Sequence, residues 1–97
     1  MNFQVVIPES VYEELNDVAS YYEQLQENLG VKFLNDWEYT MNQLSSSPLI
    51  FQKKFKQFRV IQFSRFPFLI IYEIDKLDVV VYRLIPAKRN TNKRFKK

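Results

Sequence analysis

The sequence predicts an α+β domain: an N-terminal strand, an antiparallel helix hairpin, then a three-stranded antiparallel meander forming one curled sheet packed on the helices. Three observations predict it. A short apolar run opens the chain, two stretches with apolar residues at three- and four-residue steps follow, and the second half is built from β-branched and aromatic runs of strand length. The chain of 97 residues has room for a single domain, 1–97, with one core. Hydrophobic residues at 46% and aromatics at 16% supply that core and set the chain apart from disordered sequences.

Taken in order, Phe3-Gln4-Val5-Val6-Ile7 reads as a strand closed by Pro8. Leu15, Val18, Ala19, Tyr22, Leu25 and Leu29 then form the stripe of an amphipathic helix. Its start admits two readings: Pro8 in the first turn, or Ser10 as the cap with Glu13 completing a capping box. Gly30, the only glycine, is expected as the left-handed residue that closes this helix. A second stripe, Phe33 or Leu34, Trp37, Met41 and Leu44, ends at Ser45-Ser46-Ser47-Pro48. Helices joined so closely lie antiparallel, and each leaves a face for a sheet to cover. Three runs supply that sheet: Phe55–Phe63, Phe68–Ile74 and Val79–Ile85. Phe66-Pro67-Phe68 separates the first two, and Asp75-Lys76-Leu77-Asp78 has hairpin length between the last two. From Pro86 on, and above all from about residue 90, the tail is polar and basic and is expected to be loose unless bound.

Composition removes several chemistries. With no Cys and no His there is no thiolate, no disulfide, no Ser-His or Cys-His pair and no imidazole ligand. One glycine cannot build a phosphate-cradling loop. The acids Glu13-Glu14-Asp17 and Glu73-Asp75 read as solvated surface, so neither metal nor cofactor is expected. The N-terminus lacks the basic start and long apolar stretch of a signal peptide, and no apolar run has membrane-spanning length. A cytoplasmic protein without a membrane partner is expected.

Charge is divided unevenly. Residues 1–50 carry eight acids and one base, for −7, and residues 51–97 carry thirteen bases and three acids, for +10, giving the net +3. A basic half suits a polyanion, nucleic acid above all, or serves only for solubility. Lys53, Lys54 and Lys56 enter the first strand of the meander and Arg59 lies within it. Arg65 precedes Phe66-Pro67, Arg83 sits in the last strand, and Lys88-Arg89 follow it. Some of these bases are expected to converge on one face. Arginine clamps phosphate and stabilises charge on a phosphorane, and lysine does so less directionally or moves a proton. RNA cleavage by 2′-hydroxyl attack would need neither histidine nor metal; phosphate binding without chemistry fits the same residues. Tyr21, Tyr22 and Trp37 read as core or core rim. Phe55, Phe58 and Phe63 either pack beneath the helices or stack bases.

These segments resemble the RelE/ParE toxin superfamily, most of all its plasmid-stabilisation branch. The resemblance rests on Tyr21-Tyr22-Glu23, Leu29-Gly30-Val31-Lys32-Phe33-Leu34, Leu44 and Pro48, Phe58-Arg59, Arg65–Glu73 and Lys88-Arg89-Asn90, in the family's order over residues 3–90. It implies the toxin of a type II toxin–antitoxin pair, a growth inhibitor neutralised by a cognate antitoxin. Its target would be DNA gyrase, inhibited by binding, as with ParE-like members. RelE-like members instead cleave messenger RNA on the ribosome; no small-molecule substrate is implied by either. By resemblance Arg89 falls at a catalytic arginine and Lys54 and Lys56 near active-site lysines, while Lys53, Arg59, Arg65, Arg83 and Lys88 are candidates for binding phosphate or target. Another arginine of the nuclease site meets Ser64, its tyrosine meets Phe95, and Pro86 stands where the branch often has histidine. These departures favour ParE-like binding, with a ribosome-dependent endoribonuclease as the alternative and a non-toxic nucleic-acid-binding domain as a second. The antitoxin is expected to be acidic, with an amphipathic segment for an apolar groove.

Overall fold

The computed structural model describes residues 3–87. Strand β1, Gln4–Val6, leads into helix α1, Glu9–Leu25, and helix α2, Leu29–Ser46. A short 3-10 turn, Pro48–Ile50, precedes four more strands: β2 Lys53–Phe55, β3 Phe58–Gln62, β4 Phe68–Asp75 and β5 Asp78–Pro86. The sheet has the order β1-β5-β4-β3-β2. Its last four strands form antiparallel neighbours, whereas β1 runs parallel to β5, with Val5 opposite Val79. The fold is therefore the expected α+β layer, with a mixed sheet of five strands.

The strand expected over Phe55–Phe63 is two strands joined by the two-residue turn Lys56-Gln57, where Lys56 holds a left-handed φ of 53°. No glycine, asparagine or proline marks that turn, so its sequence reads as continuous strand. The β4–β5 hairpin uses the same device, with Lys76 at φ 60°.

Alternation divides the sheet into two faces. Ile61, Ile70, Tyr72, Val79 and Val81 point to the helices and are buried. They meet Val11 and Leu15 from α1 and Phe33, Trp37 and Leu44 from α2. Phe33 is the aromatic centre, with ring centroids of Tyr22, Phe63, Phe66 and Phe68 at 5.3–5.6 Å. The stripe of α2 thus turns on Phe33, and Leu34 faces outward. Leu25 is also exposed, because α1 ends on it. Tyr22 and Trp37 join the core as expected, but Tyr21 stays on the surface.

The helix starts without a side-chain cap: Pro8 is the N-cap residue and its carbonyl accepts from Val11 and Tyr12, so Ser10 lies inside the first turn. Gly30 does not close α1. The left-handed residue between the helices is Asn28, at φ 71°, and Gly30 stands in the first turn of α2. Its value is closeness: a Cβ there would lie 2.6 Å from the Ala19 carbonyl oxygen and 3.0 Å from Glu23 Oε1. The Glu23 carboxylate uses that gap, accepting from the backbone N–H groups of Asn28 and Gly30 at 2.9 Å each. A carboxylate from α1 thereby caps the positive end of α2.

A bulge in β5 reverses its phase. Val81 pairs with Tyr72 but Arg83 pairs with Ile71, so Tyr82 is the extra residue. Tyr82 and Arg83 are both exposed and Leu84 returns to the core. Among the described residues no helix is long and apolar enough to cross a membrane.

Two outcomes test these contacts. Gly30→Ala should destabilise the protein by about 1–3 kcal/mol in urea titrations, the backbone clash outweighing a helix-propensity gain of about 1 kcal/mol. The buried Tyr72 hydroxyl donates to the Pro48 carbonyl at 2.7 Å. Burial pushes this phenol from 10.0 up to about 12, with Arg59 pulling slightly the other way. Since its folded value is the higher one, its contribution is complete below about pH 10 and is lost as pH climbs through about 12. Tyr72→Phe should cost about 1–2 kcal/mol at neutral pH and make alkaline unfolding less steep over that window.

Candidate functional site

The expected cations occupy separate places. Lys53, Lys54 and Lys56 lie exposed on β2 and its turn, at the sheet edge. A register shift between Lys53 and Phe55 leaves Lys54 as the extra residue of β2. Arg59 points to the helix side, where Nη1 donates to the carbonyls of Phe51 at 2.6 Å and Leu49 at 3.4 Å. Its guanidinium ties down the segment that leads into β2.

Arg83 turns to α1. Its Nε donates to Glu14 Oε2 at 2.6 Å while the Leu84 N–H donates to Glu14 Oε1 at 2.9 Å. Glu14 therefore closes a stretch of β5 that β1 is too short to cover, rather than standing free in solvent. Exposed edge groups of this kind otherwise invite another strand. Arg65 is elsewhere again, in the β3–β4 connection, where its side chain borders an open basin of about 440 Å³ with Lys32, Asn35, Tyr39 and Ser64. Lys88 and Arg89 lie outside the described residues, as does the tail beyond them. Among the described residues no three acids gather as metal ligands.

Sequence reasoning missed Asp36. It is 4% exposed on the inner face of α2, and its carboxylate accepts three backbone N–H bonds: Ser64 at 3.1 Å, Arg65 at 2.8 Å and Phe66 at 3.0 Å. The signal was present, an acid on the apolar stripe between Phe33 and Trp37. Through these bonds α2 sets the path of the connection that carries Arg65.

On the face of the sheet away from the helices, Lys54, Phe55, Phe58, Val60, Ile71 and Tyr82 line an apolar groove of about 330 Å³. Phe63 packs under the helices as expected, but Phe55 and Phe58 belong to this outer face. The Phe55 and Phe58 rings are parallel within 10° at 6.3 Å, and Phe58 meets Tyr82 edge-on at 5.1 Å. The Tyr82 hydroxyl donates to Glu73 Oε1 at 3.2 Å, which also accepts from Gln57. The phenol of Tyr82 titrates above its ordinary value, through partial desolvation first and the Glu73 carboxylate second.

The helix hairpin on a mixed five-stranded sheet thus presents a basic edge and an apolar outer face. The chain belongs to the ParE toxin family, described as ParE toxin of type II toxin-antitoxin system, parDE, whose family model matches residues 5–91. The fold is similar to a solved structure titled "Chromosomal ParDE TA system from P. aeruginosa". The TM-score is 0.78 at 12% identity, over 89% of this chain and 97% of that one. No curated protein sequence matches the chain.

Asp36→Ala removes the acceptor of three amides at once. It should lower stability by about 3 kcal/mol in denaturant titrations. Amide exchange should accelerate first at Ser64, Arg65 and Phe66, ahead of the sheet.

Proposed function

We propose that this chain is the toxin of a type II toxin–antitoxin pair, neutralised by a cognate antitoxin, and that it inhibits DNA gyrase by binding. Membership of the ParE family supports the toxin role. The observation that carries the choice of mechanism is the engagement of the arginines: Arg59 is held by two carbonyls and Arg83 by Glu14. Arg65 stands at a third place, beside α2. A phosphorane-stabilising site needs cations aimed at one point, whereas a protein-binding toxin needs only a complementary surface. The antitoxin that fits is acidic, against the +10 of residues 51–97, and both proteins meet in the cytoplasm.

Ribosome-dependent RNA cleavage is the alternative, with Arg89, Lys54 and Lys56 as its catalytic set. The two readings separate in one induced culture. Expression without an antitoxin should arrest growth, and purified protein should inhibit supercoiling by gyrase, while mapped messenger RNA ends show no new codon-linked cuts. Cuts that vanish in Arg89→Ala, with supercoiling untouched, would overturn the gyrase reading. Unimpaired growth at high soluble expression would overturn the toxin role itself.

A further inference from the structure

The outer face of the sheet carries a cluster of aromatic rings that the core does not use. Phe55 is 62% exposed, although an aromatic ring of this size ordinarily seeks cover. It lies parallel to Phe58, and Phe58 abuts Tyr82, so three rings from β2, β3 and β5 occupy neighbouring positions on one open surface. Strand alternation and the left-handed turn at Lys56 build this arrangement. Alternation after the buried Val81 puts Tyr82 on the outer face, and the tight turn sets Phe55 directly across from Phe58.

Charge borders the rings on one side. Lys54 lines the groove, and the Lys56 ammonium lies 5.5 Å from the centre of the Phe55 ring. The only ion pair between side chains of the described residues is Arg83–Glu14, so neither Lys54 nor Lys56 is neutralised by a carboxylate there. Glu73, on β4 between the strands that carry Phe58 and Tyr82, is already engaged by Tyr82 and Gln57. A polyanionic chain would therefore run along the lysine side of the rings.

We propose that this face binds single-stranded nucleic acid, with bases stacked on Phe55, Phe58 and Tyr82 and phosphates beside Lys54 and Lys56. Exposed rings next to a cationic edge are the two components that sequence-tolerant strand binding requires. A duplex keeps its base faces stacked internally and cannot use the rings. An apolar peptide would fill the groove but leave the lysine edge without a partner, and an acidic amphipathic segment that covered both would compete with the strand for this face. The proposal goes beyond the toxin reading and stands or falls separately from it, because it concerns contact with nucleic acid and not the inhibited target.

The test uses full-length protein and fluorescein-labelled 12-mers of dT and U, read by anisotropy at several salt concentrations. A self-paired duplex of equal length is the control. Both single strands should bind at least about tenfold more tightly than the duplex, and a difference between dT and U identifies DNA or RNA as the preferred source. Phe55→Leu, which keeps the position apolar, should weaken binding about tenfold with the salt slope unchanged. Lys54→Gln with Lys56→Gln should reduce the slope by about 1.4, at about 0.7 per phosphate contact on a single strand. Tyr82→Phe keeps the ring and should bind normally, whereas Tyr82→Leu should not. Fluorescence of the buried Trp37 verifies that each variant is folded. Equal affinity for duplex and single strand overturns the proposal, as does binding unaffected by Phe55→Leu, which would place the contact on the basic tail. Absence of oligonucleotide binding at low salt, with the groove taken instead by a peptide, overturns it as well.

Discussion

The carboxylate of Asp36 is the point on which the two layers depend. Apart from the Glu14 contact at the edge of β5, helix and sheet otherwise meet through apolar side chains, which fill space but tolerate sliding. Three short backbone N–H bonds to one buried acid do not. They fix the β3–β4 connection against α2, and with it the placement of Phe63, Phe66 and Phe68 around Phe33. The charge is stabilised because its oxygens are matched by donors, the condition under which a buried carboxylate is tolerated.

Two further carboxylates repeat this economy in a chain with a single glycine and few turn residues. Glu23 caps α2 across the helix junction, and Glu14 joins α1 to the exposed edge of β5. The acidic first half and basic second half are therefore not simply two solvated surfaces. Part of the acid excess of the helices is used to organise backbone, in the helix junction and in the sheet. The cations of the sheet are distributed accordingly, some engaged in the fold and the lysines of β2 left at its rim.

The outer face follows a different logic. Its rings are on strands whose opposite faces are committed to the core, so they cannot turn inward without a one-residue slip that would expose Ile61, Ile70 and Tyr72. The turn at Lys56 keeps Phe55 and Phe58 on that face, and the bulge at Tyr82 returns Leu84 to the core. The outer face and the β2 edge stay open, while the helices cover the other face.

Much of this architecture was legible in the linear chain. Helix periodicity, the serine-proline break at Ser45–Pro48 and the apolar runs depend on neighbours in sequence, and they placed β4, β5, the start of α1 and the end of α2 within a residue or two, whereas the helix junction fell between Leu25 and Leu29 and not at Gly30. The family resemblance, too, needed only the order of short segments. What sequence could not supply was anything set by distant partners. Gly30 serves interhelical contact rather than a turn, and Asp36 is buried because amides 28 to 30 positions away reach it. Arg59 and Arg83 face carbonyls and Glu14 rather than a common anion. A side chain's type is local, but whether its charge meets a donor, an acceptor or water is decided only when remote segments are brought together.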